Sequence, residues 1–573
     1  MRRLAKSISG LFSVLALECL SAFSLQANVK MAAIFGDHMV LQQEIKVPVW
    51  GTADPGEAIT VTAGDHTAKT TADADGAWRV NLDPFPNGAA PVTLTVTGKN
   101  SLKFNDVLIG DVWICSGQSN MQLAMHEVYN GATELPKADD PQLRLFRPEK
   151  VHSLTPKNDI PGRWYVSSPN SAWAFSATGY FFARELRAKV NRPIGMIGIS
   201  VGGTPAQAWT SLGALQKDPA LKPYVDKYQE ANAGFPAASQ AYSAQMAAYD
   251  AAKKEWDEKY GKDFKDRLAK WNEAARAAYA AGQPNPPYPK PGQSPPAKPA
   301  EPDGGFRTPS VLFNGMVAPL IPYGIKGVIW YQGEDNVPDS QLYTTLFPAM
   351  IADWRQRWGE GNFPFLFVQI ANFAGHPKED WPLLREAQLK SSLSVPNTAM
   401  AVTIDIGLPE NIHAIDKLDV GLRLALAAEN LAYGQKVVYS GPVYDSMTAK
   451  GSVIRIKFTN TGSGLKIGAP PWTGPRSTVP PTDHLSGFVI AGDDKKWGAA
   501  DARIDGDSVV VSSSQVPGPV AVRYGWDNAP VCNLYNQENL PASPFRTDDW
   551  DESPQAPPVT PVTVASNASA PGH

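Results

Sequence analysis

Cysteine is nearly absent. The 573 residues contain 3 Cys, one of them in a leader-like segment, so a disulfide-dense scaffold is excluded. The remaining pair, Cys115 and Cys532, is compatible with one disulfide or with two buried thiols. No His, Cys and Asp residues recur at metal-ligand spacing, so no metal and no organic cofactor is expected. Charge imbalance is also missing. A net charge of −4 and a pI near 6.1 give no electrostatic footprint for nucleic acid. Beyond the leader no apolar run reaches the ~18 residues of a spanning helix, so no membrane span is expected after signal removal.

Residues 1–27 read as a secretory signal. Met1-Arg-Arg-Leu-Ala-Lys6 is basic, Ile8 to Leu25 is mostly apolar, and Leu25-Gln-Ala27 offers a cleavage site. A periplasmic or secreted protein is expected. The length exceeds what one core supports. Residues 28–105 carry short alternating runs between turn clusters such as Asp54-Pro-Gly and predict a β-sandwich. Residues 106–436 alternate strands and helices, the pattern of an α/β fold with a parallel sheet. Five apolar runs are its expected strands: Val107–Cys115, Ile194–Val201, Ile325–Tyr331, Phe363–Ile370 and Ala399–Ile406. Residues 215–305 interrupt the pattern with an Ala-, Lys- and Glu-rich helical stretch and a Pro-rich linker. Residues 437–551 return to β character, and 552–573 form a Pro-, Ala- and Ser-rich tail expected to be disordered.

The informative feature is where the strands end. The first runs into Gly117-Gln-Ser119-Asn120, the second into Gly202-Gly203-Thr204, and the third into Gln332-Gly333-Glu334. The fifth is followed by Glu410-Asn-Ile-His413. Ligands collect at the carboxyl edge of such sheets. Acyl transfer needs a nucleophile, a base, a group that orients the base, and oxyanion donors. Ser119 is the candidate nucleophile and His413 the candidate base. Glu334 and Glu410 compete to orient the imidazole, with Asp405 and Asp416 as weaker candidates. Backbone N–H groups of Ser119 and Gly203, and the side chains of Asn120 and Gln332, are candidate oxyanion donors. The 16 Trp and 18 Tyr serve core packing for the most part, and an indole face also suits the apolar face of a pyranose.

Seven motifs, in order, resemble the sialate O-acetylesterase-like branch of the SGNH (GDSL-like) hydrolase superfamily, which includes bacterial hemicellulose acetylesterases. They are Cys115-Ser-Gly-Gln-Ser-Asn-Met121, Gly202-Gly-Thr-Pro-Ala-Gln-Ala-Trp209, Trp330-Tyr-Gln-Gly-Glu-Asp-Asn336, Asp353-Trp-Arg355, Arg385-Glu-Ala-Gln388, Ile412-His-Ala-Ile-Asp-Lys417, and Asn533-Leu-Tyr-Asn536 with Leu540-Pro-Ala-Ser-Pro-Phe-Arg546. The resemblance implies an SGNH-type parallel sheet, Ser119 as nucleophile, His413 as base, and Gly203 and Gln332 on the oxyanion side. In related acetylesterases the glutamate of Gln-Gly-Glu is the third triad member, which favours Glu334. The generic pattern has Asp three residues before the His, where this chain has Glu410. It also departs at Ala414, a proline in many relatives. Trp209 and Trp330, inside the motifs, are the candidate sugar-binding aromatics. The expected activity is a serine carbohydrate O-acetylesterase acting on acetylated hemicellulose (xyloglucan or xylan). A sialate 9-O-acetylesterase is the alternative within the class. A non-catalytic carbohydrate-binding protein is the alternative outside it.

Overall fold

The structure is a computed structural model that describes residues 28–280, 286–287, 289–469 and 482–550. The expected signal segment 1–27 and the tail 552–573 lie outside the described residues.

The N-terminal strands are β1 (Lys30–Met31), β2 (Val40–Gln42), β3 (Val47–Thr52), β4 (Ala58–Ala63), β5 (His66–Thr71), β6 (Ala77–Leu82) and β7 (Val92–Thr97). One sheet has the order β1-β3-β6; β4 pairs with both β5 and β7 in a second. Alternation explains the packing: Val49, Val80 and Leu82 from the first sheet meet Ile59, Val61, Leu94 and Val96 from the second in one cluster. The boundary expected near residue 105 falls inside a strand. β8 (Ser101–Gly117) runs for 17 residues. Its first half pairs antiparallel with β7, Val40–Gln42 of β2 lies beside Leu108–Gly110, and its last third forms the centre of the α/β sheet.

That sheet continues with β9 (Asp140–Pro148), β10 (Gly162–Ser167), β11 (Ile194–Ser200), β12 (Gly327–Tyr331), β13 (Phe365–Val368) and β14 (Thr398–Ala401). The order is β10-β9-β11-β8-β12-β13-β14. The five expected strands are all present and mutually parallel. β9 adds a sixth parallel strand beside β11, and β10 closes the edge antiparallel.

The two faces are buried by different helices. Trp113 and Cys115 of β8, with Ile329, Leu366 and Val368, pack under α2 (Ala177–Val190) and α7 (Lys417–Leu431). Val112 and Ile114, with Val328, Trp330, Phe365 and Phe367, pack under α5 (Ser340–Trp358) and α6 (Trp381–Ser394). Side chains alternate across a strand, so near-continuous apolar runs are what a doubly covered parallel sheet requires. Ser176 caps α2 by accepting from the Gly179 N–H at 3.0 Å, and Asp416 caps α7 through Asp419 N–H.

Between β11 and β12 the chain forms two long helices, Lys222–Trp256 and Lys262–Ala280, joined by a π-type turn. The Pro-rich segment is not a free linker. The indole N–H groups of Trp256 and Trp271 donate to the Gln293 and Pro286 carbonyls at 2.8 Å each, which lays that segment back on the helices.

The C-terminal region builds small antiparallel sheets, including 443–450, 453–459, 508–512 and 501–505 in that spatial order. It is tied to the α/β sheet by Arg385, which donates to the Asp527 and Asn528 carbonyls, and by Tyr535, whose hydroxyl bonds Asp405 at 3.0 Å. Cys115 and Cys532 are both free and buried, one against α2 and one beside Tyr524. No disulfide joins them, and burial pushes each thiol up to about 12.

Candidate functional site

β8 ends at Gly117, where φ is +132° and an added Cβ would lie 2.1 Å from the Tyr331 carbonyl oxygen. Only glycine fits this close approach, and it brings the end of β8 against the end of β12. The chain then turns into a one-turn helix, α1 (Ser119–Gln122). Ser119 opens that turn partly exposed, while Asn120 behind it is fully buried.

Amide side chains lock this turn. Gln118 Oε1 accepts from the backbone N–H of Asp335 at 3.2 Å and of Gly333 at 3.4 Å. Gln122 Oε1 accepts from Gly202 N–H at 2.8 Å. Gly202 packs on Ser119: a Cβ there would sit 3.3 Å from Ser119 Cβ. Gly203, at φ +68°, is exposed and has open space around it. Its carbonyl accepts from Arg307 at 2.9 Å, and the same guanidinium nitrogen pairs with Asp335 at 2.5 Å. The glycine loop is thus pinned through its carbonyl.

Asn120 joins three chain segments. Its Nδ2 donates to Glu334 Oε1 at 2.5 Å and to the Ile412 carbonyl at 3.0 Å, while its Oδ1 accepts from Lys417 Nζ at 2.7 Å. Lys417 lies over the Tyr331 ring, 4.6 Å from its centroid. Burial pushes Lys417 down to about 7, opposed by the charges of Glu334 and Asp416. Burial raises Glu334 above the usual carboxylate range, opposed by its backbone hydrogen bond, Asn120 and Lys417. Glu334 Oε2 is buried and has no hydrogen-bond partner among the described residues.

His413 sits half-buried in the loop before α7. Its backbone N–H donates to Asn411 Oδ1 at 2.9 Å. Burial, and then the charge of Lys417, lower its pKa below 6.5, with Glu127 pulling the other way. The imidazole is therefore neutral at pH 7 and able to accept a proton. Glu410 lies exposed in the same loop. No hydrogen bond joins the His413 ring to Ser119 or Glu334 among the described residues. Catalytic contacts of this kind tighten when substrate binds.

Four sequence expectations need correction. Asn120 and Gln332 are not free oxyanion donors. The Asn120 amide is committed to Glu334 and Ile412, and Gln332 Nε2 donates to Asn336 Oδ1 at 2.7 Å and toward the Thr204 carbonyl at 3.4 Å. Trp209 and Trp330 are not sugar platforms. Both have no exposed surface, and they pack edge to face with centroids 6.0 Å apart under α5. Of the expected oxyanion residues that remain, Ser119 is partly exposed and Gly203 exposed. Sequence reasoning passed over Gln118, Gln122, Asn336 and Lys417. All but Gln122 lie inside the seven motifs, and a polar residue within an otherwise buried motif was the available signal.

A cavity of about 240 Å³ opens next to the nucleophile turn, lined by Gln122, Glu127, Arg147, Lys150, Ser176 and Ser200 among others. No three His, Cys, Asp or Glu side chains among the described residues gather as a metal-holding group. Among the described residues, no helix is long and apolar enough to cross a membrane.

The arrangement was compared with known proteins. The family model described as carbohydrate esterase, sialic acid-specific acetylesterase, matches residues 109–278 and 312–430. The chain is 28% identical to the sialate O-acetylesterase of Rattus norvegicus over 90% of this chain and 94% of the relative. It is 27% identical to that of Homo sapiens, over 92% and 94%. Among solved structures it is similar to a carbohydrate acetylesterase from Xanthomonas citri, with TM-score 0.72 and 35% identity, covering 91% of this chain and 100% of that one.

Proposed function

The chain belongs to the carbohydrate esterase family of sialic acid-specific acetylesterases, and from that premise we propose that Ser119 and His413 remove O-acetyl groups from an exported glycan substrate. The protein is a carboxylic ester hydrolase, a carbohydrate O-acetylesterase.

Ser119 Oγ attacks the acetyl carbonyl, and His413 takes the hydroxyl proton. The backbone N–H groups of Ser119 and Gly203 hold the oxyanion; one such donor contributes on the order of 10²–10³ in rate. Collapse of the tetrahedral intermediate breaks the C–O bond to the sugar, whose oxygen receives the proton from His413. Water, deprotonated by the same imidazole, attacks the acetyl-enzyme and releases acetate. Glu334 orients the imidazole. In support, its Oε2 is buried without a partner among the described residues, and its Oε1 is tied through Asn120 to the carbonyl of Ile412, the residue before His413. The observation that carries the reading is the meeting of Ser119, the open Gly203 loop and the His413 loop at one edge of the sheet.

The substrate proposed is acetylated plant-wall hemicellulose, met in the periplasm or outside the cell after removal of residues 1–27. It is supported by the long exposed helical pair, which offers a wall suited to a polymer. A second reading, sialate, has its own observation: Arg147 and Lys150 line the cavity beside the nucleophile turn, where a sugar carboxylate would find a counter-charge. The test measures acetate release from a chromogenic acetate ester by wild type and Ser119→Ala. The expected loss is ~10³-fold or more, and equal rates sink the nucleophile assignment. Product analysis on acetylated xyloglucan, acetylated xylan and O-acetyl sialic acid, side by side, decides the sugar.

A further inference from the structure

Away from the esterase site, a groove of about 630 Å³ separates the β1-β3-β6 sheet from the loops at residues 157–159 and 318–322. It lies at the opposite end of the α/β sheet. Ile321 and Pro322 lead into the start of β12, whose far end carries Gln332 and Glu334. The volume is that of a small-ligand site.

Strand register explains its lining. Trp50 of β3 is paired with Arg79 of β6, and Thr52 of β3 with both Lys30 of β1 and Ala77 of β6. Paired residues share a face, so one face of this short sheet presents an indole, a guanidinium, an ammonium and a hydroxyl together. Trp50 is held in place: it packs edge to face on Phe35, with centroids 4.7 Å apart, and stays half-buried. Lys157 and Asn158 stand on the opposite wall.

Three cations and two carboxylates line the groove, an excess of one positive charge. Lys30, Arg79 and Lys157 are exposed, and none forms an ion pair among the described residues. The two carboxylates of the lining each give one oxygen to backbone N–H groups. Asp73 Oδ1 accepts from the N–H groups of Asp75 and Ala77, and Asp159 Oδ1 from those of Ala33 and Ile160.

We infer that this groove binds a carboxylated sugar unit of a glycan, a uronate or a nonulosonate, separately from ester hydrolysis. A pyranose ring stacks its apolar face on an indole. Its hydroxyls need neutral polar partners, and Thr52 and Asn158 supply them. Its carboxylate needs a cation, best a guanidinium, and Arg79 stands beside the indole. Such a site would hold the enzyme on an acidic polymer while the esterase edge, at the other end of the sheet, stays open.

The test is calorimetric titration of the full chain with trigalacturonate and with sialyllactose, against the neutral controls xylotriose and lactose. At least one acidic ligand is expected to bind tenfold or more tightly than its neutral control. If one of the two binds, it names the sugar acid; if both bind, the carboxylate is the shared determinant. Arg79→Ala combined with Lys157→Ala should weaken that binding tenfold or more and leave kcat/KM on a chromogenic acetate unchanged. Both side chains are exposed, so the unchanged esterase rate also reports intact folding. No binding by wild type, equal binding of neutral and acidic sugars, or undiminished binding by the double variant each overturns the inference.

Discussion

The turn that carries Ser119 and the loop that carries His413 meet at the same edge of the sheet, yet they are held by different means. Around Ser119, the side chains of Gln118 and Asn120 bond the 333–335 segment, Asn120 also reaches Ile412 and Lys417, and Gln122 bonds Gly202. Asn120 is fully buried. The His413 loop is half-buried and fastened by backbone groups: the Ile412 carbonyl on Asn120, the His413 N–H on Asn411, and a bridge between Leu408 and Asn411. In the proposed mechanism Ser119 and its oxyanion donors lie on the tightly held side, which is where preorganisation lowers the barrier most. His413, the proposed base, lies on the looser loop, which suits its proposed transfers of a proton from Ser119 and to the sugar oxygen.

The contrast predicts that damage on the rigid side costs more than damage on the loop. Glu334→Gln against Glu410→Gln is the sharpest break. Glu334 belongs to the buried network, and its substitution should lower kcat by on the order of 10²-fold or more. Glu410→Gln should stay within about threefold of wild type. Equal losses would remove the distinction between the two carboxylates. Next comes Arg307→Ala, which releases the Gly203 carbonyl without touching substrate. A fall of roughly tenfold in kcat with KM little changed is expected; a change confined to KM would mean that Arg307 binds the sugar instead.

The smallest effect is one of pH. Burial and Lys417 lower the His413 pKa, so the acid limb of kcat/KM should lie below pH 6.5. Between that lowered value and 6.5 the unfolded chain binds more protons at this site than the folded one. Stability therefore falls as pH drops through the window. Glu127 acts in the opposite sense. Glu127→Gln should move the acid limb further down by roughly a few tenths of a pH unit, and an upward shift would contradict the stated balance.

The sequence carries the α/β sheet well because strands buried on both faces need unbroken apolar runs. Helix Lys417–Leu431 is legible for a related reason: its apolar stripe must face α2. β9 is not legible, since Leu143, Leu145 and Phe146 alternate with Arg144 and Arg147 and could lie at any half-covered edge. Only its seat beside β11 buries it. In the site, the residues that need exposure or a glycine conformation, Ser119, Gly203 and His413, stand where the strand ends place them. The residues that were misread are those whose role depends on a distant partner. Asn120 looks like a free donor until Glu334, 214 residues away, accepts from it. Trp209 and Trp330 look like sugar platforms because composition does not say which side of a sheet an indole faces.

β8 has one more consequence. Its amides take part in the N-terminal ladder at one end and in the catalytic sheet at the other, on one uninterrupted backbone. A fluctuation that opens the first ladder frees part of the strand that ends beside Ser119. Amide exchange along β8 tells whether its two ends open together or apart. A truncation drawn at residue 105 would remove not an appendage but the first third of the strand that positions Ser119.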